Sequence, residues 1–345
     1  MQTTVLKVNP DSFEPSILYP VARALQRGEL VAFPTETVYG LGAIYRDETA
    51  LRRIFTTKGR PNDNPLIVHI WNLDQLTELV QEINTKFQKL IAAYWPGPLT
   101  LIFPKKPAVP DEITAGLPTV AVRMPSHPVA RELLRLTGIP VAAPSANLSG
   151  KPSPTLGEHV MADLNGKIPW IIDAGPCNAG LESTVLMLDQ AKPIILRPGF
   201  ITREMLEEVL QEPVTVATGQ TDRPSAPGMK YRHYAPEAPA ILVMGSKDAI
   251  VSKINAILRQ RREKERIAVI GSSENLSKYE TELVLDMGSE HHLELAANRL
   301  YNLLRTCDRL KVDRILIEGV ADHGIGAALI NRLYKASGGN VINVT

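Results

Sequence analysis

Arginine stands beside proline at the border of three apolar runs in this sequence of 345 residues. The three are Arg60 in KGRPNDNPLIVHI, Arg123 in TVAVRMP and Arg197 in IILRPG. A guanidinium binds a carboxylate or phosphate through two parallel hydrogen bonds, and an unpaired charge inside an apolar strand is costly. We therefore expect these arginines to line one anionic site at strand ends, with a protein carboxylate or a ligand pairing with Arg123.

Lys58 lies just before Arg60, in the last turn of a helix predicted over ETALRRIFTTK. Gly59 terminates this helix, and a cation in the last turn stabilises the helix dipole. This structural interpretation accounts for Lys58. It does not account for Arg60, which lies beyond the helix end.

Two loops carry short polar side chains directly after predicted strands. PTETVYGLG, residues 34–42, places Thr35, Glu36 and Thr37 on the turn after LVAF, where the glycines would let a ligand approach the backbone. The alternative for this stretch is an ordinary capping turn. PVAAPSANLSGKPSPT, residues 140–155, offers hydroxyl and amide groups that could reach phosphate or ribose, or could belong to a surface loop.

Two further polar residues interrupt apolar strands. Ser183 begins the strand STVLML, and His69 alternates with apolar residues in PLIVHI. A single histidine in a strand is more often a hydrogen-bonded core residue than a ligand-binding group.

Several familiar sites are excluded by the motifs that the sequence lacks. It has no phosphate-binding G-x-x-x-x-G-K-[ST] loop, no complete dinucleotide glycine pattern, no H-E-x-x-H and no G-x-S-x-G.

Two distant cysteines, Cys177 and Cys307, exclude a cysteine zinc cluster and indicate a reducing compartment. Acidic residues do not cluster, so a required Mg²⁺ would be carried by substrate phosphates. We expect catalysis by positioning and charge neutralisation, as in nucleotidyl transfer.

Strand and helix patterns divide the chain into three parts. Residues 1–210 alternate short apolar runs with helices and predict an α/β domain with a large mixed sheet. Residues 211–239 are rich in proline and glycine and predict a linker, whereas 240–345 predict a smaller Rossmann-like domain with an open parallel sheet.

Composition predicts a cytoplasmic protein without a membrane partner. The N-terminus lacks an apolar core of signal-peptide length, and no apolar run is long enough to span a bilayer. The 38 basic and 37 acidic residues nearly cancel, so no overall field favours nucleic acid or anionic lipid.

Eight motifs together resemble the YrdC family of threonylcarbamoyl-AMP synthases, in the long form with an additional C-terminal domain. In chain order they are PTETVYGLG, KGRPNDNPLIVH, WPGPLTLIF, TVAVRMPSHP, APSANLSGKPSPT, GLESTV, LRPG and SAPGMKYRHYAP. The resemblance implies a YrdC-like twisted mixed sheet with a ligand cleft. It also implies that L-threonine, bicarbonate and ATP are converted to threonylcarbamoyl-adenylate and pyrophosphate, and that a partner enzyme transfers the threonylcarbamoyl group to tRNA.

The resemblance also implies roles for individual residues, motif by motif. The implied catalytic residues are Lys58, Arg60, Ser145 and Asn147. The implied ATP contacts are Arg60, Asn64, Thr119, Ser145, Ser153, Arg197 and Tyr234. The implied threonine contacts are Thr35, His69, Arg123, Ser183 and the backbone of Ala143. Residues 211–239 would then form a lid over the site, with Mg²⁺ entering on ATP and with no zinc and no dinucleotide.

Two other functions stay open at the level of sequence. One is an RNA-binding module, which the net charge of +1 and the lack of a basic aromatic face disfavour. The other is a carbamoyl-transferring enzyme of related fold, which the carbamoyl source would distinguish. In the synthase interpretation, tRNA is contacted only indirectly.

Overall fold

A computed structural model describes residues 1–188, 192–217 and 233–345. The described chain divides into two compact units. The first comprises residues 1–149 and 153–217, and the second comprises residues 150–152 together with those from 233 onward.

The first unit contains eleven strands and eight α-helices among its described residues. The strands are β1 Thr4–Lys7, β2 Val31–Phe33, β3 Gly40–Ile44, β4 Ile67–His69, β5 Leu99–Pro104, β6 Thr119–Arg123, β7 Val141–Ala142, β8 Trp170–Asp173, β9 Thr184–Leu188, β10 Pro193–Arg197 and β11 Thr215–Val216. The helices are α1 Tyr19–Gln26, α2 Glu48–Lys58, α3 Leu73–Leu79, α4 Thr85–Tyr94, α5 Asp111–Thr114, α6 Pro128–Thr137, α7 Gly157–Leu164 and α8 Arg203–Leu210. A 3-10 helix, Pro15–Leu18, precedes α1.

These strands form one mixed sheet in the order β1-β8-β2-β3-β7-β4-β6-β5-β9-β10-β11. The sheet contains both parallel pairs, such as β4 with β6, and antiparallel pairs, such as β5 with β6. The prediction of mixed strand directions is therefore confirmed. β11 lies at the edge of this sheet, so the first residues of the stretch 211–239 belong to the sheet of the first unit.

Helices cover both faces of this sheet. On one face, α1 and α6 pack Leu25 and Leu133 against Phe33 and Val141. On the other face, a larger core includes Leu51 of α2 and further residues of α3, α4, α7 and α8. Strand residues alternate between the two faces, so β4 points Val68 into the larger core and points Ile67 and His69 to the opposite side.

The second unit is an open sheet of five parallel strands. Its strands are β12 Ala240–Met244, β13 Ile267–Ser272, β14 Val284–Gly288, β15 Arg314–Glu318 and β16 Val341–Asn343. Its helices are α9 Lys247–Arg259, α10 Leu293–Leu310 and α11 Ile325–Ala336, with a 3-10 helix at Leu276–Lys278. The order β14-β13-β15-β12-β16 confirms the predicted parallel sheet, although it differs from the strand order of dinucleotide-binding domains.

A buried carboxylate joins the elements of the second unit. Glu318 accepts hydrogen bonds from the Ser272 backbone N–H (2.8 Å) and hydroxyl (2.9 Å), from Asn275 (2.7 Å) and from the Tyr279 hydroxyl (2.7 Å). Four donors offset the cost of burying this charge.

In the described ranges, no helix has both the length and the apolar character needed to cross a membrane.

Candidate active site

Polar side chains form a row across adjacent strands on one face of the first sheet. The sheet register pairs His69 with Arg123 and Arg197 with Val185. Ser183 lies two residues before Val185, so its side chain points to the same face. The register brings together three of the predicted threonine contacts, His69, Arg123 and Ser183, with the predicted ATP contact Arg197.

Arg123 ends β6 and is 3% exposed. Its Nε donates to the Gly97 carbonyl oxygen at 3.2 Å, and its Nη1 donates to the Thr37 hydroxyl at 2.7 Å. Its Nη2 lies 2.7 Å from Glu36 Oε1, as an ion pair that is not aligned as a hydrogen bond. The partner expected for this buried cation is thus a protein carboxylate, and Arg123 has further N–H groups that could bind a ligand carboxylate.

Glu36 is itself 8% exposed, and its carboxylate lies beside the Arg123 guanidinium. Burial opposes ionisation of Glu36. The Arg123 charge beside it, with the backbone N–H groups of Glu36 and Ser126, nevertheless holds its pKa below the usual range. At neutral pH, the pair is therefore one buried cation beside one buried anion.

His69 ends β4 beside this pair. It is fully enclosed, and its ring meets Phe33 edge to face with centroids 6.1 Å apart. Burial, followed by the Arg123 charge, lowers the pKa of His69 to about 3, so the imidazole is neutral at physiological pH. Backbone groups of Ile67 and Val141 form hydrogen bonds with the ring, as expected for a core histidine, whereas its Nδ1 has no partner in the described chain.

The turn after β2 fixes the orientation of Arg123. The Thr35 hydroxyl donates to the Val38 carbonyl oxygen at 2.6 Å and lies 2.8 Å from the Thr37 hydroxyl. Because the Thr35 proton goes to Val38, Thr37 is the donor in this pair and accepts from Arg123. The Thr35 hydroxyl is therefore fully engaged within the turn.

Ser183 lies between two further groups of the row. Its hydroxyl is 2.7 Å from the Thr100 hydroxyl and accepts from Arg197 Nη2 at 3.0 Å. Arg197 Nε also donates to the Ser183 backbone oxygen at 3.1 Å. Arg197 is 5% exposed, so these contacts hold a second buried guanidinium in the row.

Lys58 binds the loop that follows β7. Its Nζ lies 2.5 Å from the carbonyl oxygens of Ser145 and Asn147, and 3.3 Å from Asn147 Oδ1. The Ser145 hydroxyl in turn donates to Asn147 Oδ1 at 2.5 Å. Three acceptors surround the three N–H bonds of the ammonium, so Lys58 orders the loop that carries two other predicted catalytic residues.

Arg60 folds back on the loop before β4. Its Nη2 donates to the carbonyl oxygens of Asn64 (3.1 Å) and Pro65 (3.0 Å). The Asn64 side chain is 1% exposed, and its amide oxygen and nitrogen have no partner in the described residues. A buried amide without partners is costly unless a ligand supplies them.

The remaining predicted residues of the first unit occupy different positions. Thr119 starts β6, at the end opposite Arg123. The Ala143 N–H donates to the Ile67 carbonyl oxygen at 2.9 Å, which leaves the Ala143 carbonyl as the backbone group for a ligand. Ser153 donates to the buried Glu182 carboxylate at 2.6 Å.

Tyr234 belongs to the second unit, where it stacks on Tyr301 at a centroid distance of 5.3 Å. The Arg332 guanidinium lies 5.6 Å from the centre of its ring. Most of the predicted lid motif, including Lys230, Tyr231 and Arg232, lies outside the described residues.

Comparisons with known proteins place this geometry in a family. A model of the Sua5–YciO–YrdC family, described as Telomere recombination, matches residues 23–199. The chain belongs to the Sua5–YciO–YrdC family. A second model, described as Threonylcarbamoyl-AMP synthase, C-terminal domain, matches residues 201–338. The resemblance predicted from the motifs is confirmed.

Relatives in this Sua5–YciO–YrdC family are similar over nearly the full chain. The threonylcarbamoyl-AMP synthase of Bacillus subtilis is 48% identical over 325 residues, which cover 93% of each chain. The enzyme of the same name from Pyrococcus abyssi is also 48% identical, over 93% of this chain and 94% of that one. A crystal structure of P. abyssi Sua5 complexed with L-threonine matches with a TM-score of 0.94 and 45% identity, over 99% of this chain and 100% of that one.

Sequence patterns did not predict every polar group of the site in this Sua5–YciO–YrdC member. The sequence places Glu36 in a candidate turn but does not indicate its pairing with Arg123, and it does not indicate the partner roles of Gly97, Thr100 and Glu182. A signal exists for Thr100, which is a polar residue inside the apolar strand LTLIF. Gly97 acts through its backbone carbonyl group, and such a role cannot be recognised from the residue type.

The part of the chain that the structure describes contains no group of three or more His, Cys, Asp or Glu side chains able to hold a metal ion. Cys177 and Cys307 are both buried, and burial raises the pKa of both thiols, that of Cys307 to about 12. Both thiols therefore stay protonated at neutral pH and are poor nucleophiles.

The second unit has a cavity of its own, of about 420 Å³. Residues at the carboxyl ends of four parallel strands line it, among them Gly245, Ser272, Gly288 and Glu318. Glu318 forms part of the cavity wall, and its carboxylate already accepts four hydrogen bonds.

Proposed function

We propose that this chain is an L-threonylcarbamoyladenylate synthase. In the proposed reaction, L-threonine, bicarbonate and ATP give threonylcarbamoyl-adenylate and pyrophosphate, as the first step of threonylcarbamoyladenosine formation in tRNA. Full-length relatives named threonylcarbamoyl-AMP synthase support this function, as does the threonine complex of P. abyssi Sua5. The observation that carries the proposal is the buried row of His69, Arg123 and Ser183 on one sheet face.

Threonine is proposed to bind along this row. Arg123 would receive the carboxylate through its remaining N–H groups, because a buried guanidinium is the strongest carboxylate-binding group in the unit. The turn that carries Thr35, the Ala143 carbonyl and Ser183 would complete the pocket.

Selectivity for threonine over valine would depend on its hydroxyl group. A single methyl group distinguishes threonine from serine by only about 1 to 3 kcal/mol, whereas a buried polar group that holds the hydroxyl discriminates far more strongly against valine, which has a methyl group in its place. His69 is suited to this role, since its Nδ1 is buried, neutral and without a partner in the described chain.

ATP is proposed to bind beside this row with its Mg²⁺ carried on the phosphates. Its proposed contacts in the first unit are Arg60, Asn64, Thr119, Ser145, Ser153 and Arg197. Asn64 supports this placement best, because its buried amide lacks partners that an adenine or ribose group could supply. Mg²⁺ keeps several waters and needs few protein ligands, so entry with ATP suits a site without a protein-held metal.

The proposed chemistry has two steps. The deprotonated threonine amine attacks the carbon of bicarbonate, the bond from that carbon to the hydroxyl oxygen breaks, and the hydroxyl leaves as water with a proton from the nitrogen, which gives a carbamate. If bicarbonate is first dehydrated to CO₂, water leaves in that earlier step, and the amine adds to CO₂ with loss of an N–H proton to solvent. A carbamate oxygen then attacks the α-phosphorus, and the bond from that phosphorus to the bridging oxygen breaks as pyrophosphate leaves. Arg60 would stabilise the negative charge that develops on the phosphates.

Lys58 is proposed to act through the loop it binds. Its ammonium holds the carbonyl groups of Ser145 and Asn147, so it would position this loop for the phosphates while contributing positive charge. Lys58 is thus a positioning residue in this proposal.

The product would be a mixed anhydride of a carbamate and a phosphate, which water hydrolyses readily. A second enzyme must therefore take the threonylcarbamoyl group and transfer it to tRNA, so this chain would meet tRNA only indirectly.

The test is pyrophosphate release by the purified protein, with threonine and bicarbonate omitted in turn. The proposed function requires both for release from ATP. Release without threonine, or no release under any combination, would contradict it. Turnover with carbamoyl phosphate in place of bicarbonate and ATP would favour a carbamoyl-transferring enzyme instead.

A further inference from the structure

The negative charge of Glu36 offsets the positive charge of Arg123 in the proposed amino-acid pocket. Its Oε1 lies 2.7 Å from Arg123 Nη2, and both side chains are at least nine-tenths buried. The two histidines nearest to the pair, His69 and His127, both have lowered pKa values caused first by burial, so they are neutral at pH 7. The Glu36–Arg123 pair therefore has no net charge before a ligand binds.

Glu36 is not needed to fix the direction of the Arg123 side chain. The Gly97 carbonyl oxygen and the Thr37 hydroxyl already accept hydrogen bonds from Nε and Nη1. Glu36 therefore adds a buried charge that the orientation of Arg123 does not require. Removing a carboxylate from water is costly, which points to a role beyond packing.

We propose that Glu36 is a specificity-determining residue that makes this pocket select zwitterionic amino acids over simple carboxylate anions. The inference rests on the proposed binding of the threonine carboxylate at Arg123. A zwitterion adds no net charge to the buried pair, and its ammonium group is attracted to Glu36. A carboxylate without an amino group would place two anions on one buried guanidinium, and like charges at close range are disfavoured in such a site.

The selection matters for the proposed reaction, because a ligand without an amino group cannot be carboxylated on nitrogen. A pocket built from Arg123 alone would accept any hydroxy acid of the right shape and would be blocked by it. Glu36 would exclude such anions by charge, independently of the shape of the pocket.

The test compares L-threonine with (R)-3-hydroxybutyrate, which is threonine without its amino group. Dissociation constants of both ligands are measured by calorimetry for the wild type and for Glu36→Gln. In the variant, we expect threonine to bind about tenfold or more weakly and 3-hydroxybutyrate about tenfold more tightly, as for removal of one close charge. Tighter binding of the anion is a gain that general damage to the pocket would not produce.

Two further variants complete the experiment. Glu36→Asp keeps the charge and should retain the wild-type preference. Glu112→Gln makes the same chemical change in another ion pair of 2.7 Å in the first unit, with Arg52, and should leave both constants unchanged. An unchanged ratio of the two constants in Glu36→Gln would overturn the proposal.

The wild type provides a test that does not depend on the folding of any variant. If it binds 3-hydroxybutyrate as tightly as threonine, charge selection is wrong. If it binds neither ligand but still releases pyrophosphate in a threonine-dependent way, the assignment at Arg123 fails while the proposed reaction stands. If it selects threonine in this way but releases no pyrophosphate, the proposed reaction fails and charge selection stands.

Discussion

At the scale of single residues, the site depends on ionisable groups that have been taken out of water. Arg123, Glu36 and His69 are each less than a tenth exposed and lie next to one another at the ends of β4 and β6 and in the turn after β2. In such surroundings, removal of one member changes the ionisation of the others.

Arg123→Ala should weaken threonine much more than ATP. Loss of a buried carboxylate-binding guanidinium should raise the KM for threonine by about a hundredfold. The KM for ATP should change little, and steady-state kinetics with each substrate varied measures both. Arg27→Ala, which removes an exposed ion pair with Glu29, should change neither value. Equal losses for the two substrates would contradict the role given to Arg123.

His69 should make the protein less stable in mild acid. The pKa of His69 in the folded protein, about 3, lies below its ordinary value of 6.5, so the unfolded chain binds more protons between these values and stability falls as pH decreases through this range. Between pH 7 and pH 4.5, this residue alone should remove about 2 to 3 kcal/mol from the free energy of unfolding. His127 acts in the same direction, whereas Glu36, with its lowered pKa, loses its contribution only below 4.5.

Denaturant unfolding at the two pH values measures this effect. His69→Gln should show a smaller fall than the wild type, and His323→Gln, at an exposed position, should behave like the wild type. An equal fall in wild type and His69→Gln would show that the histidine is not responsible.

The sequence predicted the cations of the site better than their partners. An arginine inside an apolar strand is conspicuous, and the three of them were expected to share one site. Glu36 has no such signal, because an acidic residue in a polar turn is ordinary and only the tertiary structure brings Arg123 of β6 to the turn after β2. Backbone acceptors such as Gly97 cannot be recognised from residue types.

At the scale of elements, the apolar strands were predicted and the glycine-rich strand was not. β3, Gly40–Ile44, contains two glycines, and its first three residues belong to the stretch 34–42 that the sequence assigns to a loop. It is central in the sheet, and a Cβ on Gly42 would lie 2.8 Å from both Phe33 and Val141. Glycine here serves close packing within the sheet, so the strand has little intrinsic β-propensity and could not be identified by pattern.

The contact between α2 and the loop after β7 predicts how Lys58 acts. Lys58→Met keeps most of the side-chain volume but removes the ammonium that binds Ser145 and Asn147. The loop should loosen, so the Ser149 amide, which donates to the Lys58 carbonyl oxygen at 2.8 Å, should exchange with deuterium faster. Pyrophosphate release should fall in the same variant.

Hydrogen exchange by mass spectrometry or NMR measures this effect. Lys89→Met, at an exposed position of α4, is the matched control and should leave the Ser149 amide unchanged. Slower turnover without faster exchange at Ser149 would instead indicate a direct contact of Lys58 with substrate.

At the scale of the whole molecule, each unit has its own sheet and its own core. The alternation of strands and helices from Ala240 onward predicted the second, parallel sheet, because buried parallel strands are continuous apolar runs. The four donors that converge on Glu318 were not predicted, since they come from residues 272–279, a short segment without periodicity.

Glu318→Ala should destabilise the second unit. The substitution leaves four buried donors without their acceptor, which should cost more than about 3 kcal/mol. Hydrogen exchange should accelerate at the amides of β13 and β15, and Tyr279→Phe, which removes only one donor, should have a smaller effect. Unchanged exchange in Glu318→Ala would show that this network does not stabilise the sheet.

The most direct test of the proposed synthase is the identity of its product. Purified protein is incubated with ATP, Mg²⁺, L-threonine and ¹³C-labelled bicarbonate, and the nucleotides are analysed at once by mass spectrometry. The account predicts threonylcarbamoyl-adenylate that carries the label in its carbamoyl carbon and forms together with pyrophosphate. An adenylate of threonine without the labelled carbon, or no new nucleotide while ATP is bound, would contradict it.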